Sequence, residues 1–168
     1  MKEQGDIVDQ PSLPVRIGRY LVKTALHLFW RFKRGLTVGV RAAVIDDKNR
    51  IFLVRHTYMP GWYLPGGGVE TSETVLDALG RELREEACIE MIGEPQWHGI
   101  FHNRHVSSRD HVLVYIVREF RVLSPKQPDR EIAEAGFFPL DALPAKTTPA
   151  TRRRLAEIAG TEPVASLW

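Results

Sequence analysis

The stretch "WYLPGGGVETSETVLDALGRELREEACIE", Trp62 to Glu90, decides how this chain is read. From Gly66 to Glu90 it carries seven acidic residues, Glu70, Glu73, Asp77, Glu82, Glu85, Glu86 and Glu90, against Arg81 and Arg84, a net −5. The chain as a whole is +2, which leaves +7 on the remainder. The spacing predicts a helix over Thr74–Ala87, with Thr71 and Ser72 as candidate caps. At about 100° per residue, Leu76, Leu79, Leu83 and Ala87 form an apolar stripe for docking on a sheet. Glu82, Glu85 and Glu86 crowd an arc of roughly 100° at the edge of that stripe. Like charges three and four residues apart cost a helix a few tenths of a kcal/mol per pair, and Arg81 relieves only part of this.

An acidic run of this kind is ordinarily a solvated face. Here the charges border the docking stripe, and Pro65-Gly66-Gly67-Gly68 stands before the helix. Glycine lets backbone carbonyls and amides approach a ligand closely. Carboxylates with a carbonyl make a hard oxygen site suited to Mg²⁺ or Mn²⁺. A divalent cation would balance the local charge, and such ions serve phosphate chemistry.

Outward from this segment, the chain reads as one α/β layer structure, a mixed sheet covered by helices. "LTVGVRAAVID" and "RIFLVRH" are β-rich runs around the turn Asp46–Arg50 and are expected to form a hairpin. "MPGWYLPGGG" is a loop with at most a short strand. "QWHGIFHN" and "DHVLVYIVREF" are two further strands flanking the polar connection Arg104–Arg109. "LSPKQPDREIAEA" is a proline-bearing loop and "GFFPL" a short strand. "TPATRRRLAEIAG" is a closing helix capped by Thr148 with Pro149 at its first position. Before Leu36, residues 1–14 read as a disordered lead with two prolines and Arg16–Gly35 as an amphipathic helix, so residues 1–35 are set apart from a domain at 36–168.

The 168 residues suit one main domain, and 43% hydrophobic with 26% charged residues is the balance of a soluble globular protein. A pI near 8.8 lacks the dense basic patch of a strong nucleic-acid binder. A single cysteine, Cys88, excludes an intrachain disulfide and, with no signal peptide or membrane span legible, points to the cytoplasm.

The Gly67–Ile89 segment resembles the Nudix box, G-x5-E-x7-R-E-U-x-E-E-x-G-U, where U is a bulky apolar residue. The pattern falls on Gly67, Glu73, Arg81, Glu82, Leu83, Glu85, Glu86, Cys88 and Ile89, with eight of nine positions agreeing and the spacing unbroken. "WYLPGG" and "EIAEAGFFPLDALP" resemble the flanks of that family, so the likeness runs from about Leu36 to Pro144. It implies a Nudix-like α/β/α sandwich with a mixed β-sheet and hydrolysis of a nucleoside diphosphate linked to another group. It further implies metal held by Glu82, Glu85, Glu86 and the Gly66 carbonyl, supported by Glu73 and Arg81. Glu82, Glu85 or Glu131 would serve catalysis, with Glu134 as the rival of Glu131. The departure is Cys88 at the box glycine, where a left-handed helix end would cost a side chain about 1 kcal/mol.

Substrate-contacting candidates lie outside the box: Arg55, His56, Trp62, Tyr63, Arg104, His105 and Arg109. His102, His105 and His111 also admit a zinc reading, weakened because strand alternation should split them between faces. In the N-terminal helix, Arg16, Arg19, Lys23, Arg31, Lys33 and Arg34 accompany Leu26, Phe29 and Trp30. Such a helix could lie on an anionic membrane, but packing on its own domain or on a second copy in a homodimer is the favoured reading. The implied partner is a small nucleotide derivative: an oxidised nucleoside triphosphate, a nucleotide sugar or ADP-ribose. The contrasting class is a non-catalytic nucleotide-sensing module, against which the complete carboxylate set argues.

Overall fold

The first strand is apolar on both faces because both faces are covered. In the computed structural model, which describes residues 35–168, β1 (Thr37–Val44) is buried through Val40 and Ala42–Val44, with Arg41 half-buried between them. Val40, Ala42 and Val44 pack into one core with α1 (Val75–Ala87), through Ala78, Leu79, Leu83 and Ala87. On the opposite side Ala43 and Ile45 join a second core with Leu155 and Ile158 of α2 (Pro149–Ile158). Strands doubly covered in this way read as continuous apolar runs. The three layers are the α/β/α sandwich expected. Each fully buried leucine, such as Leu79 or Leu83, contributes about 1.5–3 kcal/mol to holding them.

The sheet layer is mixed. β1 runs parallel to β5 (Asp110–Val117), and β4 (Gln96–His102) pairs antiparallel with β5 on its other side. β2 (Arg50–His56) pairs antiparallel with β7 (Ile132–Pro139), and β3 (Ile89–Met91) with β6 (Phe120–Val122). The expected hairpin is thus only a turn. Asp46 accepts from the Arg50 N–H and Ile45 bridges Ile51, but β1 and β2 then take different neighbours. β3 and β6 are three-residue strands absent from the sequence reading, and β7 begins at Ile132, inside the segment read as a loop.

Two corrections concern α1. Its cap is Thr74, whose hydroxyl accepts from the Asp77 N–H while Asp77 accepts from the Thr74 N–H, a reciprocal capping box. Thr71 and Ser72 belong to the turn before it, Ser72 at φ 86°. Leu76 is 44% exposed, whereas Glu86 is 6% exposed. The docked face is therefore rotated from the expected stripe and takes one carboxylate inside. α2 starts as read, with Thr148 as cap and Pro149 in the first turn. The lead and helix expected before Leu36 lie outside the described residues. No helix among the described residues is long and apolar enough to cross a membrane.

Candidate active site

The glycine bend is laced to β1. The Val40 N–H donates to the Gly67 carbonyl (2.9 Å), Ala42 N–H to Pro65 (2.9 Å), and Val69 N–H to Val38 (2.8 Å). Gly66 has φ 137°, and a Cβ there would stand 2.1 Å from the Val40 carbonyl oxygen. No other residue fits this position. Its N–H instead donates to Oε2 of Glu86 at 2.7 Å. A Cβ on Gly67 would lie 2.3 Å from Oε1 of Glu82. Gly66 thus makes room for the β1 backbone and Gly67 for the Glu82 carboxylate, while the Gly66 amide holds Glu86.

Arg81 organises the same corner. It donates to both oxygens of Glu73 (2.8 and 3.3 Å), to Glu82 (2.8 Å), to Glu85 (3.4 Å) and to the Gly68 carbonyl (3.1 Å). Glu73 in turn accepts from the Glu70 N–H at 2.7 Å, tying the loop to the helix. The guanidinium holds the Glu73 carboxyl below its usual range, and Glu73 and Glu82 together raise Arg81 above its own. Glu73 and Arg81 thereby tie the loop before α1 to Glu82 and Glu85 on the helix.

Glu86 is electrostatically unlike the rest. Burial pushes its carboxyl up to about 7, opposed by the Gly66 N–H and the charge of Arg41, and assisted by Glu82 and Glu131. His56 Nε2 stands 3.8 Å from Glu86. Burial lowers the His56 imidazole below its ordinary value, with Arg41 acting in the same direction and Glu131 opposing.

No three carboxylate, histidine or cysteine side chains among the described residues already converge as a metal cluster. Arg81 draws Glu82 and Glu85 toward itself, and Gly66 engages Glu86. Glu85 is half free, with its side chain 61% exposed. The residues nevertheless fit a hard divalent cation. They are oxygen donors on adjacent turns, with a glycine cradle that a Cβ would fill and a buried carboxyl short of positive charge.

The remaining candidates separate clearly. Glu134 sits in β7 and pairs with Arg55 (3.0 Å), so both are engaged. Glu131 precedes β7, exposed, and its charge is felt at Glu86 and His56. The turn carrying it is fixed by Asp129, which accepts from the Glu131 and Ile132 N–H groups. Trp62 is buried in the second core, its ring 4.8 Å from Phe138, so it packs rather than stacks on a ligand. Tyr63 and Trp168 are the aromatics that line the cleft. Arg104, His105 and Arg109 are exposed residues of the β4–β5 connection, away from the carboxylates' hydrogen bonds. His102 and His111 lie opposite one another on adjacent strands, rings stacked at 5.1 Å. Alternation therefore places these two together, but His105 lies in the turn and no metal cluster forms. Cys88 takes φ 53°, ψ 39°, the left-handed helix end expected of the box glycine, and is half-buried.

Two features escaped the sequence reading. Lys126 donates to the Glu85 carbonyl (2.6 Å) and pairs with Asp129, fastening the proline-bearing loop to the end of α1. A cleft of about 360 Å³ opens beside Gly67 and Gly68, walled by Arg41, Tyr63, Val112 and Trp168. Arg41 had a signal: it is the single charge inside an otherwise apolar strand.

The NUDIX domain model matches residues 35–158, and the chain belongs to that family. The human 8-oxo-dGDP phosphatase NUDT18 is 26% identical over 117 residues, covering 68% of this chain and 36% of that protein. An RNA pyrophosphohydrolase of Halorhodospira halophila is 44% identical over 52 residues, 31% of this chain and 29% of that one. The chain thus spans about a third of the length of these curated relatives. The crystal structure of a MutT NUDIX hydrolase from Burkholderia pseudomallei superposes with a TM-score of 0.59 at 30% identity, covering 73% of this chain and 97% of that one.

Proposed function

We propose that this protein is a Mg²⁺- or Mn²⁺-dependent pyrophosphohydrolase acting on a nucleoside diphosphate linked to another group. The observation that carries the reading is the placement of Glu86 against Gly66 and of Glu82 against Gly67, beside an open cleft, with Glu85 joined to the same corner through Arg81. Glu82, Glu85, Glu86 and the Gly66 carbonyl would hold the cation. When bound, such an ion neutralises the diphosphate and lowers the pKa of a water. The chain's own work is positional. Arg81 and Glu73 hold the helix carboxylates in register with the loop, and Gly66 fixes Glu86 through its amide. Water attacks one phosphorus of the diphosphate, a nucleotide or phosphate leaves, and Glu131 or Glu82 takes the proton.

An oxidised guanine nucleotide is the substrate we favour, supported by the name of the human relative and by a cleft walled with Tyr63 and Trp168. A panel of 8-oxo-dGDP, 8-oxo-dGTP, ADP-ribose, UDP-glucose and 5′-triphosphorylated RNA, assayed with Mg²⁺ or Mn²⁺ for released phosphate and nucleotide, tests this. Turnover should be metal-dependent and highest on an oxidised nucleotide. Absence of turnover on every member would refute the enzyme and favour a nucleotide-sensing module.

A further inference from the structure

Arg41 is a permanent cation for which the reaction above has no use. On β1 it shares a face with Gly39 and Ala43, at the end that opens into the cleft. Its Nη1 is buried and has no hydrogen-bond partner among the described residues. Its charge is felt at Glu86, His56 and Tyr58. The other arginine at this corner, Arg81, has its nitrogens engaged by carboxylates and a carbonyl.

A buried donor without a partner carries a desolvation penalty, and such a group persists where something else satisfies it in the working state. Neighbouring features indicate what that is. Gly39 leaves the cleft floor low, since a Cβ there would press on the Gly67 carbonyl at 3.3 Å. Tyr63, Val112 and Trp168 offer flat apolar walls suited to a base, while the carboxylates of α1 lie beyond Gly67. A ligand lying across that span presents its phosphates beside Arg41. A planar guanidinium fork matches phosphate oxygens in pairs, and it cannot lose its proton.

We infer that Arg41 binds a phosphate oxygen of the nucleotide substrate where the cleft meets the helix carboxylates, an inference that rests on the hydrolase reading. The rival role is structural, a counter-charge that keeps the carboxylates folded in place. The two differ in what happens to cation binding. A phosphate ligand can be removed without loss of metal affinity, because removing a positive charge near carboxylates favours cation uptake.

The test uses the full chain and Arg41→Gln, Arg41→Met and Arg41→Lys, the methionine keeping an apolar stem of similar length. Calorimetry reads Mn²⁺ alone, then inorganic pyrophosphate in Mg²⁺ buffer, and thermal melts report folding. Arg41→Gln and Arg41→Met should retain or tighten Mn²⁺ binding and lose about tenfold or more in pyrophosphate affinity, with Arg41→Lys recovering part of it. Wild-type pyrophosphate affinity in Arg41→Met would overturn the inference. So would loss of Mn²⁺ and pyrophosphate together with a fallen Tm in all three variants. Wild-type protein that takes up neither probe would defeat the hydrolase reading itself, a result distinct from both.

Discussion

Among the described residues, two arginine–carboxylate networks use the same chemistry to opposite ends. On α2, Arg154 is 0% exposed, lies 3.8 Å over the Phe101 ring, and donates to Glu157 (2.6 Å) and the Leu167 carbonyl (3.0 Å). Glu157 also accepts from the Ala165 N–H and meets His98 through its other oxygen, each at 3.0 Å. Both Glu157 oxygens are engaged, and the segment from Ala165 to Trp168 is held against β4. On α1, a single arginine is divided among Glu73, Glu82 and Glu85, while Glu86 has one amide and a distant imidazole. The first network is buried and engages both Glu157 oxygens, with Arg154 Nε left without a hydrogen-bond partner among the described residues, so it serves the fold. The second is left with surplus negative charge at the surface, and that surplus is what a cation would use.

Breaking the buried network should produce the largest effect. Glu157→Ala leaves Arg154 buried without its partner and should cost about 3–5 kcal/mol, lowering Tm by roughly 10 °C or more in thermal melts. A change of only a degree or two would mean that the two networks do not differ in kind.

Next comes pH. Glu86 has a folded-state pKa of about 7 against an ordinary 4.5, so between those values the native state binds a proton that the unfolded chain releases. Its stabilising contribution is present below pH 4.5 and is lost as pH rises through 7. Metal-free protein should therefore lose roughly 3 kcal/mol from this group alone between pH 5 and 8, and Glu86→Gln should flatten that dependence. Melts with identical pH slopes would contradict the assignment.

Glu85→Gln sharpens the contrast from the functional side. It should lower metal-dependent kcat by about 100-fold or more while leaving Tm within a degree or two, since Glu85 is mostly exposed. Unchanged kcat would remove it from the site. The smallest effect is expected at Cys88→Gly, a gain of up to about 1 kcal/mol because Cys88 occupies a left-handed conformation. A fall in Tm would show that the thiol's packing outweighs its backbone strain.

The box was legible because its chemistry is local: residue types and spacing along one helix put Glu73, Arg81 and the three glutamates at one corner. The cap was misplaced: Thr71 and Ser72 offered competing hydroxyls, and the reciprocal pair Thr74 and Asp77, three apart, was passed over. What sequence did not disclose depends on distant partners. Nothing in "LTVGVRAAVID" tells that it chooses β5 rather than β2, because pairing between strands is not written in the periodicity of either. Glu86 entered the buried face because the glycine bend supplies its amide, a contact twenty residues away. Arg41 acquires meaning only when the cleft closes around it.

The central claim is that the oxygens of α1 and the glycine bend capture a divalent cation. Anomalous scattering from crystals soaked in Mn²⁺ tests it directly. The account predicts a peak within ligating distance of Glu82, Glu85, Glu86 and the Gly66 carbonyl, with Arg81 turned toward Glu73. A map without a peak there, or with manganese bound only elsewhere, would contradict it.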